Sequence, residues 1–151
     1  MADIFITQAE ADDLIKMEKH RLDDASWNYP CFGGTVKIPL ISFNRRERFF
    51  LDINRYGRNL IKCSYQNRGR EVIILVRLCM GSTHRNPDGE DIASPHLHRY
   101  REGYGDKYAI PVPEDLFPHL KDYSETLRDF IRYCHITKPP NIVEGFEYNV
   151  E

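Results

Sequence analysis

Residues 71–80 read EVIILVRLCM, and the arrangement of the rest of the chain follows outward from this run. Apolar side chains occur at both even and odd positions between Val72 and Leu78. A strand that is apolar on both faces is typical of the centre of a sheet. The sequence therefore predicts a central strand over residues 71–80.

Five further strand-like runs flank this one. Three precede it, and in each of them apolar residues recur at every second position, at residues 35–43, 47–53 and 59–67. Two more follow, near residues 94–101 and 107–112. Short polar or glycine-containing joints between the runs suit hairpins. The expected sheet is antiparallel, with about six strands.

A helix is expected on each side of these strands. TQAE at residues 7–10 has the spacing of a capping box and predicts a helix that continues to about residue 24. DYSE at residues 122–125 begins a second predicted helix, whose apolar stripe is Leu127, Phe130, Ile131 and Cys134. The expected fold is a single α+β domain over residues 1–151, with the N- and C-terminal helices packed on one face of the sheet.

Composition restricts the class of protein. The chain of 151 residues is 41% hydrophobic and 29% charged, as in ordinary soluble domains. No apolar run reaches the roughly 20 residues of a membrane helix, and the acidic N-terminus lacks the layout of a secretory signal. We expect a cytoplasmic protein without a membrane partner.

The charge distribution leaves two interpretations open. The net charge of −2 argues against a general nucleic-acid binder, but residues 45–70 contain eight basic and two acidic residues, a balance of +6. One interpretation is a face that meets phosphate groups. The other is the solvated face of a sheet, balanced by acidic helices nearby.

The candidate site lies in residues 81–111, GSTHRNPDGEDIASPHLHRYREGYGDKYAIP. NPDG at residues 86–89 predicts a tight turn. Beyond it, His96, His98 and Tyr100 occupy alternate positions, so a strand would present three polar rings on one face. In the alternative interpretation these rings have no catalytic or binding function: they are partly buried and form hydrogen bonds with the backbone.

Acid–base cleavage of RNA is the first chemical interpretation of this face. Histidine transfers protons near neutral pH, and cations offset charge on a pentavalent phosphate. Small metal-independent ribonucleases, such as bacterial toxins, need only side chains of these two kinds, histidines and cations, and no cofactor. The predicted catalytic residues are His96, His98, Arg101 and Lys107. Contacts with RNA, by phosphate binding or by base stacking, are predicted for Arg68, Arg70, Arg99, Tyr100 and Tyr104.

A metal site is the alternative chemical interpretation. Its candidate ligands are His84, His96, His98 and Glu102. His-x-His followed four residues later by glutamate resembles the first motif of the cupins, and that resemblance implies metal ligation. The second cupin block, a Gly- and Pro-rich stretch that ends in histidine, has no counterpart downstream.

Three stretches are similar to one family of small bacterial and mobile-element proteins whose function is unknown. They are YQNRGREVIILVRL at residues 65–78, HRNPDGE at 84–90 and PHLHRYREGYGDKYAIP at 95–111. The similarity extends from TQAEAD at residues 7–12 to YCHITKPP at 133–140, with Tyr108 where many relatives have tryptophan. The resemblance implies a compact domain in a prokaryotic cell and brings no known activity.

Three functions therefore stay open. The first is a bacterial protein that acts on or binds RNA, as a toxin-like ribonuclease with an antitoxin-like partner. The second is a non-enzymatic module of a mobile element that binds a protein partner. The third is a metal-dependent enzyme built on the His-x-His strand. Salt-sensitive RNA binding favours the first function. A stoichiometric protein partner favours the second, and bound metal in the purified protein favours the third.

Overall fold

A computed structural model gives the structure of residues 5–56 and 62–144. Within these ranges the chain forms two helices, α1 (Gln8–Lys16) and α2 (Tyr123–Tyr133). The strands, in chain order, are β1 (Lys19–Arg21), β2 (Ser26–Asn28), β3 (Thr35–Ser42), β4 (Arg48–Arg55), β5 (Cys63–Gly69), β6 (Ile73–Met80), β7 (His84–Arg85), β8 (Asp91–Ile92), β9 (His96–Arg99), β10 (Ala109–Pro111), β11 (Ile136–Lys138) and β12 (Asn141–Val143). The first residues of the strand predicted at 59–67 lie outside the described ranges. None of the helices in these ranges is long and apolar enough to cross a membrane.

Eight strands form the main sheet, in the order β10-β9-β6-β5-β4-β3-β1-β11. Neighbouring strands are antiparallel except for β1 and β11, which are parallel. The predicted α+β class and antiparallel sheet are confirmed, but the predicted number of about six strands was wrong. The additional strands, β1 and β11, have three residues each, which is too short for the alternation of a strand to be recognised.

A β-bulge in the centre of the sheet explains the apolar pattern of β6. The pairing of β5 with β6 shifts after Asn67, which lies opposite Val76. Leu75 and Val76, although adjacent in sequence, are both fully buried in the same core. Beyond the bulge, Arg77 and Cys79 lie on the opposite, polar face. The prediction that β6 is apolar on both faces was therefore wrong, because the bulge changes the phase of its alternation.

Both helices pack on the apolar face of the sheet, as predicted. Leu14 of α1 and Leu127 and Phe130 of α2 belong to one buried cluster with the inward side chains of the strands. The ring of Phe130 lies 5.9 Å from that of Tyr65 in β5. No helix of residues 5–56 and 62–144 covers the other face of the sheet, and that face carries the candidate site.

The first helix ends at Lys16, so the prediction of a helix to about residue 24 was wrong. The cause is Lys19, whose side chain is fully buried. Its Nζ donates hydrogen bonds of 2.8–2.9 Å to three main-chain carbonyls, those of Ile15, Met17 and Cys134. These groups lie at the C-terminal ends of both helices, where carbonyls have no partner within the helix. The chain then enters β1 instead of continuing the helix.

Candidate metal centre

The predicted turn at residues 86–89 closes a short hairpin of β7 and β8. Gly89 has φ of 92°, and its N–H donates a 2.8 Å hydrogen bond to the carbonyl of Asn86. Glycine adopts this left-handed conformation without steric cost. The hairpin places its first residue, His84, beside strand β9.

Asn86 holds the hairpin against the edge strand β10. Its side chain is buried, donates a 2.9 Å hydrogen bond to the carbonyl of Ala109 and accepts a 2.8 Å bond from the N–H of Ala109. The sequence predicted a position in the turn for Asn86 and gave no indication of this second role. The partner lies 23 residues away, so no local pattern reveals it.

Three histidines converge beside β9. Leu97 points into the apolar core, and the alternation of the strand turns His96 and His98 to the other face, where they are 1% and 0% exposed. The ring of His84 lies 5.6 Å from that of His96 and 4.6 Å from that of His98. One ring nitrogen of each histidine lies within 4.8 Å of one from each of the others.

Main-chain carbonyls orient two of these rings. His84 Nε2 is 2.7 Å from the carbonyl oxygen of Lys107, and His98 Nδ1 is 2.7 Å from that of Asp106. Because a carbonyl can only accept a hydrogen bond, each of these nitrogens carries the proton. The second nitrogen of each ring is then the one with the free lone pair. His98 Nε2 is buried and has no hydrogen-bond partner, and the same holds for His96 Nδ1.

Burial favours the neutral form of both strand histidines. It lowers the pKa of His98 to about 4, with a further contribution from the positive charge of Arg77. The pKa of His96 is also lowered, mainly by burial, although a hydrogen bond to the backbone of Ala93 opposes the shift. At pH 7 both rings are therefore neutral, which is the form of imidazole that binds metal ions.

Acid is expected to destabilise the chelator-treated protein as the pH falls from 6.5 to about 4. His98 has a pKa of about 4 in the folded chain but titrates near 6.5 when unfolded, so the unfolded state takes up the proton first. The stability is complete above pH 6.5 and decreases below it, by on the order of 2–3 kcal/mol. Urea unfolding at pH 7 and pH 4.5 measures this loss, and His98→Gln should show a smaller one. Equal losses in the two proteins would contradict the assignment.

Three residues that the sequence placed near this face lie elsewhere. Tyr100 follows the end of β9 and is buried in the core, where its hydroxyl forms 2.9 Å hydrogen bonds with the N–H and the carbonyl of Ile6. The prediction that it shares a face with the two strand histidines was therefore wrong. Glu102 accepts a 2.7 Å hydrogen bond from the N–H of Gln8 at the start of α1, outside the histidine cluster. Arg99 lies 3.7 Å from a carboxylate of α1.

The arginines before β6 are held in ion pairs. Arg68 contacts both carboxylate oxygens of Asp52, with Nη2 2.9 Å from Oδ1. Arg70 lies 3.1 Å from Glu47 and 3.4 Å from Glu10. The positive charge of these two predicted RNA contacts is thus largely offset by carboxylates.

The remaining predicted residues lie in the loop after β9. The guanidinium of Arg101 is 4.1 Å from the ring centre of Tyr108 and 5.5 Å from that of Tyr104. Lys107 is exposed and reaches the cluster through its backbone, since its carbonyl accepts the hydrogen bond from His84. The structure therefore brings His84, His96 and His98 together, and leaves the side chains of Arg101 and Lys107 out of the cluster.

Comparisons with known proteins place the chain in a family. The model of a family of unknown function (DUF6978) matches residues 6–136, from the residue before the α1 cap to the start of β11. No curated protein and no solved structure matches the chain. The matched region contains the whole histidine cluster and most of the main sheet. The protein therefore belongs to the DUF6978 family, a family of unknown function.

Proposed function

We propose that the protein is a metal-dependent enzyme that binds a divalent transition-metal ion, zinc in the first place, through His84, His96 and His98. The observation that carries the proposal is the convergence of three imidazoles whose ring nitrogens lie within 4.8 Å of one another. Neutral imidazole is a ligand suited to zinc, copper, iron and nickel, whereas magnesium and calcium prefer oxygen.

The hydrogen bonds of the rings support metal binding over simple packing. Metal-binding histidines usually donate their other ring N–H to a carbonyl or carboxylate, as His84 and His98 do here. A buried acceptor without a partner costs roughly 1–3 kcal/mol. His98 Nε2 is such an acceptor, His96 Nδ1 is a second buried ring nitrogen without a partner, and a bound cation would give both a partner.

The distances need only a small adjustment. With Zn–N bonds of about 2.0–2.1 Å, nitrogens around a tetrahedral zinc lie about 3.4 Å apart. The three ring nitrogens lie within 4.8 Å of one another, so modest rotations of the rings bring them to that distance. His84 is half-buried at the start of a two-residue strand, and its side chain has the most freedom of the three.

The number of ligands favours a catalytic ion over a structural one. Structural zinc sites have four protein ligands, whereas catalytic sites have three and a water molecule. Among the described residues, no fourth His, Cys, Asp or Glu joins the group. Water bound to zinc has a pKa near 7 and becomes a hydroxide nucleophile. The chemistry that fits is therefore hydrolysis or hydration.

The RNA-cleaving alternative has less support from this geometry. A histidine that transfers protons to a phosphodiester must reach it, and His96 and His98 are almost completely buried. The pKa of His98, about 4, also makes it a poor proton donor at neutral pH. Toxin-like activity, a protein partner and a bacterial mobile-element setting stay predictions from the sequence.

The test is metal binding by the purified protein. We expect chelator-treated protein to bind one equivalent of Zn²⁺ or Co²⁺, to unfold at a higher temperature when loaded, and to give the intense visible absorption of four-coordinate cobalt. Mg²⁺ and Ca²⁺ serve as controls and should not bind. Protein that neither retains metal after purification nor binds added Zn²⁺ or Co²⁺ would contradict the proposal.

A further inference from the structure

A cleft of about 210 Å³ crosses the polar face of the main sheet beside the histidines. Hydroxyl, amide and charged side chains from β3, β4, β5 and β6 line it, and none of the described residues in the lining is aromatic. These residues therefore offer no platform for stacking bases of the kind that proteins use to bind single-stranded nucleic acid. The polar lining instead offers many hydrogen bonds to a small polar molecule.

The register of the strands connects this cleft with the histidine cluster. Successive cross-strand pairs form a row from Lys37 through Asp52, Gln66 and Arg77 to His98. A second row, two residues along each strand, runs through the other lining side chains and then through Cys79, outside the lining, to His96. Since neighbouring strands lie about 4.8 Å apart, the distance from β9 to β4 is about 14 Å. The cleft and the histidines are thus two ends of one polar surface.

Arg77 lies where the cleft meets the histidines. It is the cross-strand neighbour of His98, and its charge lowers the pKa of both His96 and His98. One of its terminal nitrogens is 3.1 Å from Asp106, but its buried Nε has no hydrogen-bond partner. An oxygen of a bound anion would satisfy that group.

The remaining charges of the cleft also favour an anion. Asp52 is neutralised by its two contacts with Arg68. Lys37 forms no ion pair with any residue in the described ranges. Lys37 is therefore the cation of the described lining without a counter-ion, Arg77 keeps an unpaired Nε–H beside its ion pair with Asp106, and a metal ion at the histidines would add further positive charge. A phosphate group balances this charge better than a singly charged carboxylate does.

We infer that the cleft binds the substrate of the metal centre, and that this substrate is a small, hydroxyl-bearing phosphate ester. The inference rests on the proposed function, because the phosphate lies between Arg77 and the metal ion. The hydroxyl groups of the ligand extend toward the amide and hydroxyl side chains of Gln66 and Ser64. A volume of about 210 Å³ is below that of pockets for drug-sized ligands, which suits a molecule no larger than a sugar phosphate.

The experiment uses cobalt-loaded protein, because the absorption of cobalt reports metal binding and ligand binding separately. Inorganic phosphate, glycerol 3-phosphate and glycerol are each titrated while the visible spectrum is recorded. We expect phosphate to change the spectrum, glycerol 3-phosphate to bind more tightly than phosphate, and glycerol to have no effect. Cobalt binding with no spectral response to either phosphate compound would overturn the inference and leave the metal site intact. Absence of cobalt binding would overturn both.

A pair of arginine variants tests the position of the phosphate. Arg77→Gln should weaken binding of glycerol 3-phosphate at least about tenfold, the value of one charge-assisted hydrogen bond, while the variant still binds one equivalent of cobalt. The matched control is Arg85→Gln in the β7–β8 hairpin, where an exposed arginine forms a similar ion pair, with Asp91 at 2.9 Å. It should bind glycerol 3-phosphate like the unmodified protein. Equal affinities in the two variants would place the phosphate elsewhere and overturn the inference.

Discussion

Replacement of His98 by alanine is expected to lower the affinity for zinc at least about 100-fold, because even the residues that orient metal ligands contribute 10- to 100-fold. His98 is the most constrained of the three rings. It is fully buried, and its Nδ1–H is fixed to the carbonyl of Asp106, which leaves Nε2 as the ligand. Competition with a chromophoric chelator measures the affinity, and circular dichroism confirms that the variant is folded.

Leu97→Ala is the matched control for this variant. Leu97 lies between the two strand histidines in sequence, but it points into the core and is 2% exposed. Its truncation should cost roughly 2–5 kcal/mol of unfolding free energy and leave zinc affinity nearly unchanged in the folded protein. If Leu97→Ala lost zinc binding as strongly as His98→Ala, the effect would reflect general disruption of the strand and not a lost ligand.

The variant His84→Ala tests whether zinc is bound by all three histidines or by the two histidines of β9 alone. His84 belongs to the hairpin of β7 and β8, which Asn86 fixes to β10, and its ring is bonded to the carbonyl of Lys107. Its loss should lower zinc affinity to a similar extent as the loss of His98, at a smaller cost in stability because it is half-buried. Full zinc affinity in His84→Ala would leave His96 and His98 as the only histidine ligands.

Local signals in the sequence predicted the beginnings of both helices. The side chain of Thr7 accepts from the N–H of Glu10 in the expected capping box, and Asp122 accepts from the N–H groups of Ser124 and Glu125 at the start of α2. These contacts span two or three residues, so a short pattern contains them completely. The end of α1, in contrast, depends on the hydrogen bond between Lys19 and the carbonyl of Cys134. These two residues are 115 positions apart, so no local pattern contains their contact.

The distinction between local and distant contacts also applies to the candidate site. The alternation of a strand correctly predicted that His96 and His98 share a face opposite Leu97, because that relation is local. Spacing alone suggested Glu102 as a fourth ligand, but its carboxylate instead accepts a hydrogen bond from α1. Arg77 was not predicted as a site residue. It stands in an apolar run, and only the bulge beside Val76 shows that it faces the cleft.

Lys19→Met is expected to be the most destabilising of these substitutions, with a loss of about 3–5 kcal/mol of unfolding free energy at pH 7. Burial lowers the pKa of Lys19 to about 8, so the ammonium is still the main form at that pH. An ammonium has three N–H groups, and the three carbonyls of Ile15, Met17 and Cys134 accept one each. Methionine fills nearly the same volume but cannot donate a hydrogen bond. Three acceptors therefore lose their partner, and for the two buried ones, the carbonyls of Ile15 and Cys134, the loss costs roughly 1–3 kcal/mol each.

Lys16→Met provides the comparison for this last prediction. Lys16 is exposed in the last turn of the same helix, and surface substitutions of this kind change stability by about 0.5 kcal/mol or less. Urea unfolding of both variants measures the difference. Because Lys19 joins the C-terminal ends of α1 and α2, its loss should also make the amides of both helices exchange faster with solvent. Equal stability of Lys19→Met and Lys16→Met would contradict this prediction. The free energy gained by removing a buried charge would then have offset the lost hydrogen bonds, and Lys19 would not be the residue that ends α1.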